Sequence, residues 1–98
     1  MEEKDAVAAL GALGFDTRLA VVRLLSAAGK EGLAAGEIAR KLQVQQNTLS
    51  DHLGLLARSG LLSTERCGRS IIYRLDTGSL QALLDFLRIE CLDVRSAN

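Results

Sequence analysis

The segment from residue 34 to residue 74 constrains the fold more than any other part of the chain. Its apolar residues recur with helical spacing over about 35–42 and again over about 46–59, where Gly60 offers a natural stop. Two β-rich runs follow, on either side of Cys67-Gly68. This change of pattern predicts two short helices and then a β-hairpin with a two-residue turn.

Helical patterns account for most of the remaining chain. Three more helices are expected, over 4–12 (alanine-rich and interrupted by glycines), 16–28 (capped by Asp16 or Thr17) and 79–92. The apolar positions expected to be buried on the second helix are Leu19, Val22 and Leu25. We therefore predict one domain over residues 1–98, mainly α with a small β-hairpin, with about five helices and a two-stranded wing; the tail 94–98 is expected to be frayed.

Charge is unevenly distributed along the chain, although its net value is zero. Residues 40–74 carry six basic and two acidic side chains, a net charge of +4, whereas residues 1–39 and 75–98 each carry −2. The basic excess coincides with the two short helices and the hairpin. A local asymmetry of this kind favours a nucleic-acid partner, which the total charge alone would argue against.

The sequence shows neither a membrane segment nor a secretory signal. No apolar run approaches the ~18 residues that are needed to span a bilayer. The chain begins with Glu2-Glu3-Lys4-Asp5 rather than with a basic region followed by an apolar core. Cys67 and Cys91 form no spaced disulfide framework. These features predict no membrane partner and a reducing, cytoplasmic location.

The helix over 46–59 begins with side chains that can read DNA. Glutamine and asparagine can form paired hydrogen bonds with adenine edges, and serine, threonine or histidine can reach a base or a phosphate. The predicted contacts are Gln45, Gln46, Asn47, Thr48, Ser50, Asp51 and His52. Asp51 would repel phosphate, so it is expected to accept from a cytosine amino group or to pair with an arginine. His52, the only histidine, is expected to contact DNA or to pack locally rather than to bind a metal.

Arginines complete the predicted DNA contacts. Arg66 and Arg69 flank the hairpin turn, where they can reach phosphates or an adjacent minor groove. Arg58, at the end of the preceding helix, is included in the predicted set. Arg74 lies further along the strand, where an ion pair is the alternative role.

The sequence resembles the ArsR/SmtB family of small dimeric metal- and redox-responsive repressors. The resemblance covers about residues 6–92, and its most specific parts are Thr-Leu-Ser-x-His-Leu at 48–53, Gly-Leu-Leu at 60–62 and Gly-Arg-x-x-x-Tyr-Arg-Leu at 68–75. It implies a winged helix-turn-helix fold and a homodimeric repressor that releases double-stranded operator DNA when an effector binds. The implied dimer interface uses the first and last helices, chiefly Val7, Leu10, Leu80, Leu83, Leu84 and Leu87.

The resemblance leaves the effector open. The Cys-x-Cys site of the family's third helix is absent, because residues 33–38 contain no cysteine, and the last helix has no histidine for a zinc site. Cys91 falls where the arsenic-responsive members carry thiols, which implies arsenite or another thiophilic or oxidative signal. The alternative is that Cys91 is an ordinary small apolar residue. Cys67 is either incidental or a reactive thiol beside Arg66 and Arg69.

Two other functions are alternatives to this prediction, and a third is not expected. The hairpin and the helix before it could contact a protein, which would make the chain an interaction module. An ArsR-like regulator without a metal inducer is the second alternative. An enzyme is not expected, since the sequence has no base–nucleophile pair, glycine-rich phosphate loop or paired carboxylates.

Overall fold

The computed structural model of the protein describes residues 1–93. The helices are α1 (Glu3–Leu13), α2 (Asp16–Ala28), α3 (Ala35–Leu42), α4 (Gln46–Arg58) and α5 (Thr77–Leu87). The strands are β1 (Leu33–Ala34), β2 (Leu62–Cys67) and β3 (Ser70–Leu75). A 3₁₀ turn (Gly29–Glu31) follows α2, and a π-helical turn (Arg88–Leu92) follows α5. The five predicted helices and the hairpin are confirmed, and the predicted tail 94–98 lies outside the described residues.

The sheet has three strands in the order β1-β3-β2, one more than the sequence predicts. β1 pairs antiparallel with β3, with Leu33 opposite Tyr73 and Ala34 opposite Ile72. The predicted two-stranded wing is confirmed as β2 and β3. The additional strand β1 was not predicted, because a strand of two residues is too short to produce a periodic pattern. This third strand ties the hairpin to the segment that precedes α3.

The hairpin turn lies one residue further along the chain than predicted. Cys67 is paired with Ser70, so Gly68 and Arg69 are the two loop residues. Gly68 takes the first loop position with φ 63°, a value that favours glycine. Arg69 consequently sits in the turn itself, whereas Cys67 is an exposed strand residue.

The core is formed mainly by leucine, isoleucine, valine and alanine side chains. Leu49, Leu53 and Leu56 of α4 are fully buried, as their helical spacing predicts. On α2 the buried residues are Val21, Val22 and Leu25, whereas Leu19 is 45% exposed, contrary to prediction. The buried face of α2 therefore differs from the predicted one, because Val21 and not Leu19 faces the core.

Helix α1 contacts the rest of the domain through alanines. Ala6, Ala9 and Ala12 are each 1% exposed, and α1 packs against α2, α4 and α5. The helix runs through Gly11 without the predicted interruption. Side chains of one methyl group allow α1 to approach its neighbours closely. The outer face of the same helix exposes Val7 and Leu10.

The ends of the helices differ partly from the predicted caps. Asp76 caps α5, since its carboxylate accepts a hydrogen bond from the Ser79 amide (3.0 Å). Helix α2 begins after Phe15 and has no side-chain cap, so neither Asp16 nor Thr17 has the predicted role. Helix α5 ends at Leu87 and not at 92, because the last turn is π-helical. Within residues 1–93, none of the helices combines the length and apolarity that crossing a membrane requires.

The alanine face yields a stability prediction. Ala9→Leu should lower the free energy of unfolding by about 1–3 kcal/mol, because the larger side chain has no space between α1 and its neighbours. The matched control is Ala8→Leu, which adds the same atoms at an exposed position and should change stability by less than about 0.5 kcal/mol. Denaturant unfolding at one protein concentration measures both variants. Equal losses would contradict close packing of α1.

Candidate nucleic-acid interface

A short connection fixes α4 relative to α3. Gln43 ends α3 in the left-handed conformation (φ 58°), and the Val44 amide donates to the Ala39 carbonyl (3.0 Å). Gln45 returns the backbone to an extended conformation before α4 begins. Ile38 of α3 is fully buried in the same core as the leucines of α4. The two helices and this turn form a helix-turn-helix unit.

The N-terminal half of α4 presents its polar side chains to solvent. The exposed members of the predicted set are Gln45, Gln46, Asn47, Thr48, Ser50 and Asp51. The Asn47 side-chain oxygen accepts from the Thr48 amide (2.9 Å). No acidic residue lies in the first turn of α4, and Gln45 makes no side-chain cap. Apart from the Thr48 amide, the free N–H groups of the first turn and the positive end of the helix dipole therefore remain available to an anion.

His52 is held against the body of the domain. Its Nδ1 lies 3.0 Å from Nη1 of Arg18, and its ring stacks on Phe15 at 5.0 Å between centroids. Arg18 also lies over the Phe15 ring and donates through Nε to the Ala12 carbonyl (2.6 Å). His52 thus shows the local packing that was one of its two predicted roles. Sequence analysis missed Phe15 and Arg18, because no local pattern links them to a histidine so far along the chain (34 positions from Arg18).

The three arginines of the hairpin divide into two groups. Arg66 and Arg69 are exposed and make no ion pair with any other residue in 1–93. Arg74 instead pairs with Glu65 (2.8 Å) and donates through Nε to the Lys30 carbonyl (2.6 Å). Arg74 therefore anchors the hairpin, the alternative role considered for it, and Arg66 and Arg69 supply the outward positive charge.

A cleft of about 250 Å³ joins the start of α4 to the hairpin. Its lining residues are Ala34, Ala35, Gly36, Gln46, Arg69, Ser70, Ile71 and Tyr73. Gly36 lies beside the Gln46 side chain, and a Cβ at position 36 would be in ordinary van der Waals contact with Gln46 Oε1 (3.4 Å). The cleft brings one predicted base-reading side chain and one predicted phosphate-binding side chain to the same surface.

Arg58 does not share this surface with Gln46. It is the last residue of α4, about 18 Å along the helix axis from Gln46. It lines a separate cleft of about 500 Å³ together with Asp5 and Asp76. Arg58 and Arg69 therefore line different clefts, and a DNA contact by Arg58 stays a prediction.

Both cysteines are free thiols on the surface of the single chain. Cys91 lies in the π-helical turn after α5 and is exposed, so a buried apolar role does not describe it within this chain. Among residues 1–93, no group of three or more histidine, cysteine or acidic side chains is placed to hold a metal ion. Trivalent arsenic prefers about three thiolates. The residues of one chain therefore do not fit an arsenite site.

Comparisons with known proteins agree with this geometry. A family profile described as a helix-turn-helix domain matches residues 13–65, more than half of the chain. The transcriptional activator HlyU of Vibrio cholerae is 31% identical over 88% of this chain and 78% of its own length. The uncharacterised regulator YbzH of Bacillus subtilis is 37% identical, and that match spans 60% of this chain and 59% of YbzH.

Solved structures identify the type of regulator. An ArsR-like transcriptional regulator from Rhodococcus superposes with a TM-score of 0.77 at 26% identity, over 88% of this chain and 78% of that one. The chain belongs to the ArsR family. The antimony-specific repressor AntR is a further structural neighbour of this ArsR protein, with a TM-score of 0.69, 30% identity and coverage of 96% and 85%. These neighbours are transcriptional regulators and not enzymes, and membership of the ArsR family implies a DNA partner.

Proposed function

We propose that this ArsR-family protein is a dimeric transcriptional repressor that binds operator DNA through α4 and the hairpin. The observation that carries the proposal is the shared cleft between Gln46 and Arg69. It sets amide side chains suited to base edges beside a cation suited to phosphate. HlyU is named an activator and AntR a repressor, so repression is part of the proposal.

Helix α4 would enter the major groove with its N-terminal end, where Gln46, Asn47 and Ser50 are exposed. Asp51 is exposed and has no ion-pair partner in residues 1–93, which supports acceptance from a cytosine amino group over pairing with an arginine. Arg66 and Arg69 would contact the flanking phosphates or the minor groove. Two copies would read half-sites about one or two helical turns apart.

The dimer proposal is supported by an apolar surface that the single chain leaves uncovered. Val7 is 61% exposed, Leu10 42% and Leu84 53%, three of the residues predicted for the interface. Leu80 and Leu87 are partly buried against the core. The predicted set needs one correction, since Leu83 is 2% exposed and belongs to the core of its own chain.

The effector proposal rests on Cys91. It is exposed in the π-helical turn that follows α5, the helix that carries Leu84, so a second copy of Cys91 could approach it across a dimer axis. A thiophilic species such as arsenite would then be bound by thiols from two chains, or an oxidant would join them. The name of AntR supports a thiophilic class of effector.

The first test concerns DNA. Arg69→Ala should weaken binding of every duplex and flatten the salt dependence by about one unit of slope, because one phosphate contact is lost. Gln46→Ala should instead relax preference at one base pair, by about 1–3 kcal/mol.

The probe is a labelled duplex selected from random sequences by the wild-type protein, titrated at several salt concentrations. Arg23→Ala is the control, since it removes an exposed arginine of α2. Wild-type binding without salt dependence would favour a protein-interaction module.

The second test concerns the dimer. Val7→Glu and Leu84→Glu should each give a monomer in light scattering, since a charge would be buried in an apolar interface. Leu19→Glu is the matched control, because Leu19 is similarly exposed but lies on α2. Circular dichroism checks that each variant stays helical. A dimer that survives both substitutions would exclude this surface as the interface.

The third test concerns the effector. Arsenite or an oxidant should release the selected duplex from wild-type protein and from Cys67→Ser, but not from Cys91→Ser, whereas zinc should have no effect. Fluorescence anisotropy of the labelled duplex measures release. Release from Cys91→Ser would contradict the role of that thiol. Retention of DNA by the wild type under every condition would remove the effector proposal and leave the DNA-binding proposal intact.

A further inference from the structure

Arg18 joins the segment where α1 ends and α2 begins to α4, which is distant in sequence. Its Nε donates to the Ala12 carbonyl near the end of α1 (2.6 Å), and its Nη1 contacts His52 Nδ1 on α4 (3.0 Å). Its guanidinium lies 4.9 Å from the centre of the Phe15 ring, on which His52 also stacks. Arg18 and Phe15 therefore fix both the position and the plane of the only histidine in the chain.

The contact with Arg18 determines which nitrogen of His52 carries the proton. A guanidinium has donors and no acceptor, so Nδ1 must accept the hydrogen bond. A ring that accepts at Nδ1 is neutral and carries its proton on Nε2. The hydrogen bond thus makes Nε2 a donor.

The Nε2 donor faces solvent. In residues 1–93, no buried side-chain nitrogen or oxygen lacks a hydrogen-bond partner, and no residue of that range bonds to Nε2 of His52. It is therefore not buried. His52 lies one helical turn after the exposed Thr48 and about 9 Å along the axis from Gln46. The N-terminal end of α4 is the part that would enter the groove, so a side chain this far along the helix is placed to meet the DNA backbone.

We infer that Arg18 is a positioning residue for DNA binding, which holds His52 so that its Nε2–H donates to a backbone phosphate. The inference rests on the proposed DNA-binding function and assigns a role to a residue that does not itself touch DNA. Since the donor is neutral, the contact adds affinity without releasing a counterion. Removing it should weaken binding of all sequences and leave the salt slope unchanged.

A double-mutant cycle tests the inference with the selected duplex. His52→Ala should weaken binding about tenfold or more, as expected for a hydrogen bond to a charged group. Arg18→Ala should also weaken binding, but should cause no further loss in the His52→Ala background, because it acts through the ring. Arg23→Ala on the same helix is the control. Additive losses, a changed salt slope in His52→Ala or altered base preference would each overturn the inference.

A spectroscopic measurement on wild-type protein keeps the test independent of whether Arg18→Ala folds. Because the chain has one histidine, the ¹⁵N imidazole spectrum reports His52 alone. Nδ1 should be unprotonated and Nε2 protonated in the neutral ring, with a mixture of tautomers in Arg18→Ala. A proton on Nδ1 in wild type would overturn the inference. Absence of DNA binding by the wild type would instead refute the proposed function.

Discussion

The burial of three leucines on α4 determines the orientation of the whole candidate interface. Leu49, Leu53 and Leu56 recur at helical spacing and are completely buried, so the rotation of α4 about its axis is fixed. The intervening positions must then face outward, and in the first two turns they are polar. A helix rotated by one position would bury amides and expose leucine. The side chains offered to DNA are thus selected by packing on the opposite face.

The hairpin is held by a different kind of contact. Its strand β3 is paired on one side with β2 and on the other with β1, which directly precedes α3. Arg74 adds the ion pair with Glu65 and the bond to the Lys30 carbonyl, which joins β3 to the turn after α2. Surface ion pairs contribute little stability, so the role of Arg74 is chiefly geometric. Because Arg74 holds the strands in place, the turn that carries Arg69 extends from a fixed part of the hairpin.

Local patterns in the sequence predict much of the fold, but they do not predict every part of the candidate site. The bounds of α3 and the leucines of α4 follow from apolar spacing, and the exposed amides of α4 follow from the same pattern. β1 is too short to show a period, and its pairing depends on a strand far along the chain. The contact of Arg18 with His52 is equally non-local. The separation of Arg58 from Gln46 follows from the length of α4, which a count of charge along the chain does not take into account.

The alanine face of α1 has a mechanical consequence. Ala6, Ala9 and Ala12 have no side-chain torsions that could change, so α1 itself cannot adapt at this contact by exchanging rotamers. A displacement of α1 requires the helix to slide or tilt as a rigid rod. A force applied to its outer face is therefore passed by α1 to the adjoining helices, and any adjustment at the contact has to come from their side chains.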